Sequence, residues 1–75
     1  MKYIRHSYIG IIAFPPSVNH DWMADKFGRE NIISAGFISR NKDSDDFECT
    51  GFSSTLKLGA LPDDTETMQS TLNLY

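Results

Sequence analysis

Cysteine, proline, long apolar runs and basic charge in the second half are all scarce in this chain, and each scarcity closes a class of explanation. The single cysteine, Cys49, excludes an internal disulfide and suits a reducing compartment. No apolar stretch approaches the ~20 residues that a transmembrane helix requires. The longest candidate, residues 8–14, ends at Pro15-Pro16 with no small-residue cleavage site, so it reads as a strand and not as a leader. A cytoplasmic protein with no membrane role is the expectation. Residues 41–75 hold only Lys42 and Lys57 against seven acids, a balance of −5, whereas residues 1–40 carry +2. No basic stripe is left to displace phosphate counterions, which argues against direct nucleic-acid binding.

Groups that carry chemistry are equally sparse. His6, His20 and Cys49 are the only nitrogen or sulfur ligand candidates, and their spacing matches no metal motif. Both histidines read as surface residues. Cys49 has Glu48 as its neighbour, which opposes thiolate formation, so it reads as a buried structural thiol. Ser53-Ser54 lacks the Gly-x-Ser-x-Gly elbow and a base. The expectation is a non-enzymatic protein with no catalytic residue, metal or cofactor.

What the chain does have is aromatics, nine in 75 residues, and two similar tripeptides, Ala35-Gly36-Phe37 and Thr50-Gly51-Phe52. Glycine inside a strand marks a bulge or a close approach by a neighbour. Residues 8–14 read as a first strand, with a start as early as Tyr3. Residues 18–27 read as a helix with Ser17 as N-cap and Gly28 beyond its end. Val18, Trp22, Met23, Lys26 and Phe27 form one broad side of it, and His20 and Ala24 point away. Residues 31–40 and 47–52 are strands joined by a turn at 41–46. Setting Gly36 opposite Gly51 pairs Phe37 with Thr50 and Ile38 with Cys49. Residues 53–58 extend that strand or make a short fourth. Asp63 with Glu66 fits a capping box that opens a helix from Asp64 to about Leu74.

Strand, helix, strand implies a crossover between parallel strands. The whole is one domain, residues 1–75, of α+β class. Its expected form is two layers, a three- to four-stranded sheet under two helices, in the order β-α-β-β-(β)-α.

Candidate partner-binding residues follow from charge and from the one tryptophan. Asp43, Asp45 and Asp46 in the turn and Glu48 just after it, with Asp63 and Asp64 at the helix start, serve turn and cap chemistry or form an acidic rim that steers a basic partner. Trp22 covers the glycine-rich sheet or stands out as a hot spot. An alternative site is a small anion nest from Gly51 to Lys57, with hydroxyls at Ser53, Ser54 and Thr55, able to hold a phosphate or nucleotide.

The segments Ile33-Ser34-Ala35-Gly36-Phe37, Cys49-Thr50-Gly51-Phe52-Ser53-Ser54-Thr55-Leu56 and Pro62-Asp63-Asp64 together resemble short uncharacterised proteins of tailed phages and prophages. The resemblance spans about residues 31–64 and carries no functional residue with it. It implies a setting in which small acidic proteins bind and divert host proteins, inhibitors of bacterial defence among them. The expected function is therefore protein binding, to a host protein or to a second copy of the chain as a homo-oligomer.

Overall fold

A computed structural model describes residues 1–44 and 46–75; Asp45, one of the acidic-rim candidates, lies outside the described residues. Among the described residues ten strand and helix elements appear, in an α+β arrangement. The strands are β1 (Lys2–His6), β2 (Gly10–Phe14), β3 (Ile32–Arg40), β4 (Phe47–Thr50), β5 (Phe52–Ser53), β6 (Leu58–Gly59) and β7 (Leu72–Leu74). The helices are α1 (His20–Phe27) and α2 (Asp64–Ser70), with one 3₁₀ turn at Arg29–Asn31. Among the described residues no helix is long and apolar enough to cross a membrane.

The expected first strand is a hairpin. β1 and β2 pair antiparallel, Ile4 opposite Ile12, across a turn at residues 7–9. His6 closes this turn: its Nδ1 accepts the Tyr8 and Ile9 N–H groups at 3.1 and 3.3 Å, so its Nε2–H donates to the Phe27 carbonyl at 3.1 Å. Gly10 leaves the turn with φ +94°, and a Cβ there would lie 2.3 Å from Thr71 Oγ1.

Five strands make the main sheet in the order β4-β3-β1-β2-β7. β1 is antiparallel to both β2 and β3, so β2 and β3 run parallel with β1 between them. The expected crossover through α1 therefore exists but steps over a strand. The expected β3–β4 register is observed, with Phe37 opposite Thr50 and Ile38 opposite Cys49. It stops there. Gly51 turns out of the ladder at φ +87°, and residues 52–59 form a separate two-stranded ribbon, β5–β6. The close neighbours of Gly36 are the Thr50 carbonyl and the Tyr3 ring, 2.4 and 3.2 Å from a Cβ built there. The glycine patch thus receives a tyrosine and a backbone, not a helix.

Alternate residues of β1 and β2 serve opposite faces of the sheet. Ile4, Ile12 and Phe14 pack with Ala35 against Met23 and Ala24 of α1, and Leu56 and Leu58 of the ribbon add to that cluster. Tyr3 and Ile11 pack with Cys49 against Met68 of α2. The two helices lie on opposite faces, so the expected two-layer form with three or four strands is corrected to three layers about a five-stranded sheet. The reason is the continuous burial of β1 and β2, which fills both faces.

α1 begins at His20, two residues later than expected, and buries His20, Met23 and Ala24, a stripe at i, i+3 and i+4. That phase turns Trp22 outward, half exposed, and His20 inward, the reverse of the expectation for both. His20 sits edge-on between Phe14 and Phe37, with Nε2 on the Gly36 carbonyl at 2.8 Å. Burial holds its pKa below the ordinary histidine value despite that hydrogen bond.

α2 ends at Ser70, short of the expected Leu74. Leu72, Asn73 and Leu74 pair in parallel with Ile11, Ile12 and Ala13. Leucines two apart suit one face of a strand, and β2 offers a free edge to complete.

Candidate binding groove

The α2 face is organised around a buried carboxylate. Asp64 is 0% exposed and collects donors from four places. The Tyr3 hydroxyl donates to Oδ2, as does the Leu61 N–H at 2.9 Å. Arg5 Nη1 and Ser34 Oγ donate to Oδ1 at 2.9 and 3.0 Å. Every buried side-chain polar atom among the described residues has a partner. A carboxylate taken out of water needs this number of donors to be tolerated. Burial and the adjacent carboxylate push the Tyr3 phenol well above its ordinary value. They also push the Cys49 thiol up to about 11. Cys49 is thus a protonated, buried thiol at neutral pH, as its sequence neighbours imply.

Asp64 is consequently a structural anchor that fixes the start of α2 on β1 and β3, and its place in an exposed acidic rim is corrected. Asp63 is exposed, but its carboxylate meets Arg5 at 2.9 Å, and this hydrogen bond holds its pKa below the usual range. No side-chain cap closes the α2 N-terminus, so the expected capping box is absent; Arg5 has taken the capping carboxylate.

Anchored at this end, seven-residue α2 covers part of the sheet face and leaves the rest open. Beside it runs a groove of about 560 Å3, lined by Met1, Ala13, Ile38, Asp46, Phe47, Met68, Gln69, Leu72 and Leu74. These residues come from α2, from β2, β3, β4 and β7, and from the segments that flank them. The volume falls within the ~300–1,000 Å3 usual for binding sites. Phe47, Met1, Leu72 and Leu74 are each half exposed or more. Sequence reasoning missed this groove, although the alternation of Leu72 and Leu74 was a legible signal for an outward-facing strand.

Of the acidic candidates, Asp46 lines the groove, Asp43 is exposed in the adjoining turn, and Glu48 is half buried on β4. Asn41 Oδ1 accepts the Asp43 N–H at 2.9 Å, which shapes the turn as composition predicted. The fold brings Asp46 to the apolar groove and does not bring Trp22 there. Trp22 stands with Tyr75, ring centres 6.0 Å apart, and Lys26 Nζ lies 5.5 Å from both rings.

A second, smaller cavity of about 180 Å3 is lined by Lys2, Asn19, His20, Phe37, Phe52, Ser53, Ser54 and Thr55. It contains the hydroxyls of the proposed nest, with Lys2 in place of Lys57 as its cation. Lys57 lies in the turn between β5 and β6 at φ +56°. Among the described residues no cluster of three His, Cys, Asp or Glu side chains is placed to hold a metal. Comparison of the chain with family models, curated proteins and solved structures finds no match.

Proposed function

We propose that this protein acts without catalysis, by holding an apolar segment of a partner protein in the groove beside α2. The observation that carries this reading is the groove itself, which leaves Phe47, Leu72 and Leu74 in water. Contiguous apolar surface of this kind costs solubility and marks interaction sites. The partner chemistry follows from charge. Asp46 lies in the groove and Asp43 beside it, in a half-chain of net charge −5. An apolar anchor flanked by basic residues fits this surface, with charge speeding and orienting the encounter. The resemblance to phage proteins supports a host protein as that partner, with inhibition as the consequence. Affinity capture with wild-type and Phe47→Ser baits tests this. A partner retained by the first, lost by the second and released as salt rises is expected; equal capture by both overturns the reading.

The small cavity supports a second reading, a phosphate or phosphoryl group held by Lys2 and the Ser54 and Thr55 hydroxyls. Its volume suits the phosphate of a nucleotide and not the whole molecule. Inorganic phosphate and nucleoside phosphates should then raise the melting temperature of the wild-type chain but not of Lys2→Met. A flat response to the whole panel removes this reading.

A further inference from the structure

The two edges of the sheet are not equivalent. At β4 the outward-facing Cys49 N–H is taken by Thr65 Oγ1 at 2.9 Å, and the strand carries Glu48 beside exposed Asp46. At β7 nothing plays this part. The Ile11 N–H donates to the Thr71 carbonyl at 3.2 Å and the Tyr75 N–H to the Ala13 carbonyl at 2.9 Å. With the observed register, these bonds turn the backbone groups of residues 71, 73 and 75 toward β2. The N–H and C=O of Leu72 and Leu74 therefore point away from the sheet, and no partner for them occurs among the described residues. All three residues of β7 are exposed, Leu74 at 74%. Among the described residues the strand has none of the usual protections of an edge, having no lysine, proline, bulge or helix across its outer side.

We infer that β7 pairs antiparallel with β7 of a second copy about a two-fold axis through Asn73, joining two five-stranded sheets into one of ten strands. Leu72 of each copy then faces Leu74 of the other. Both residues have outward N–H and C=O groups, so each pair exchanges two hydrogen bonds and the edge is satisfied by four. The self-match follows from the placement of two identical side chains symmetrically about Asn73. An isologous interface requires that self-complementarity.

Charge favours this edge over the other. β7 carries no ionisable side chain, whereas β4 carries Glu48, with Asp46 just before it, so pairing that strand with its own copy would bring acids together. The side chains agree. Leu72 and Leu74 share a sheet face with Ile11 and Ala13, so the dimer aligns four leucines there and runs the two grooves together. On the opposite face Trp22 and Tyr75, each half exposed, flank the same edge. The pairing holds whatever the groove binds.

Sedimentation of the purified chain with a Cys49→Ser background tests this. Twice the monomer mass is expected for the parent, and the monomer mass for Leu74→Lys with an unchanged circular dichroism spectrum. Asn73→Cys provides an independent reading, because the two-fold axis sets the two position-73 Cα atoms about 4.5 Å apart, within disulfide range. Mild oxidation should cross-link it into covalent dimers. A monomer mass for the parent up to its solubility limit overturns the inference. So does a dimer that survives in folded Leu74→Lys, or one that Asn73→Cys fails to cross-link.

Discussion

The two faces of the central sheet are built from neighbouring residues of the same strands, yet they are finished by different physics. On the α1 face, Ile4, Ile12 and Phe14 meet Met23 and Ala24, and the β5–β6 ribbon closes the side with Leu56 and Leu58. His6 spends both ring nitrogens, and His20 its Nε2, on carbonyls and turn amides of the chain itself. On the α2 face one seven-residue helix buries a single methionine, and the fastening is a carboxylate with four donors. Apolar packing needs area to work, so on the α1 face it spreads over both a helix and a ribbon. A polar anchor works at a point, so it holds a short helix in place and leaves an open groove beside it. That difference is why a domain this small can be stable on one side and available on the other.

The largest expected effect comes from breaking the anchor. Asp64→Ala strips Arg5, Tyr3, Ser34 and the Leu61 N–H of their acceptor at once. Removing one partner of a buried pair costs about 3–5 kcal/mol, a large part of the ~5–10 kcal/mol expected of a small domain. Urea denaturation should show the loss, and a cost below ~1 kcal/mol would mean that α2 is held by something else.

A matched pair of methionines sharpens the contrast at smaller scale. Met23→Ala opens a cavity inside the closed face and should cost about 2–5 kcal/mol. Met68→Ala lies on the groove wall, where the space joins solvent and the helix can relax, so its cost should fall at or below the low end of that range. Equal losses in the two variants would erase the distinction between the faces.

Much of this was legible in the sequence, and the reasons for the rest are physical. The β3–β4 register was readable because the match of Gly36 to Gly51 and the turn composition at 41–46 point to the same pairing of residues 37–40 with 47–50, although Gly51 itself leaves the ladder. The β1–β2 hairpin was hidden because Tyr8 and Ile9, in its turn, are strand formers that continue the apolar run; a histidine side chain from position 6 supplies the acceptor that holds them. The phase of α1 depended on a start two residues further along, which decided whether Trp22 or His20 faced the core. Asp64 looked like one of two helix-start acids. Its partners Ser34, Tyr3 and Arg5 come from strands 30 to 61 residues away, a distance over which local pattern carries no information. The groove was invisible for the same reason, since it exists only once β7 pairs with β2 and α2 stops short.

The central claim is that the open α2 face is the binding face. Phe47 and Phe52 offer a direct comparison, being 57% and 58% exposed, with Phe47 in the groove and Phe52 on the ribbon of the α1 side. The measurement is the affinity of the captured partner for the two serine variants beside the wild-type chain. The account predicts that Phe47→Ser weakens binding at least about tenfold, the loss of roughly 1.4 kcal/mol, while Phe52→Ser leaves it unchanged. Equal affinities for the two variants, or a loss confined to Phe52→Ser, would contradict it.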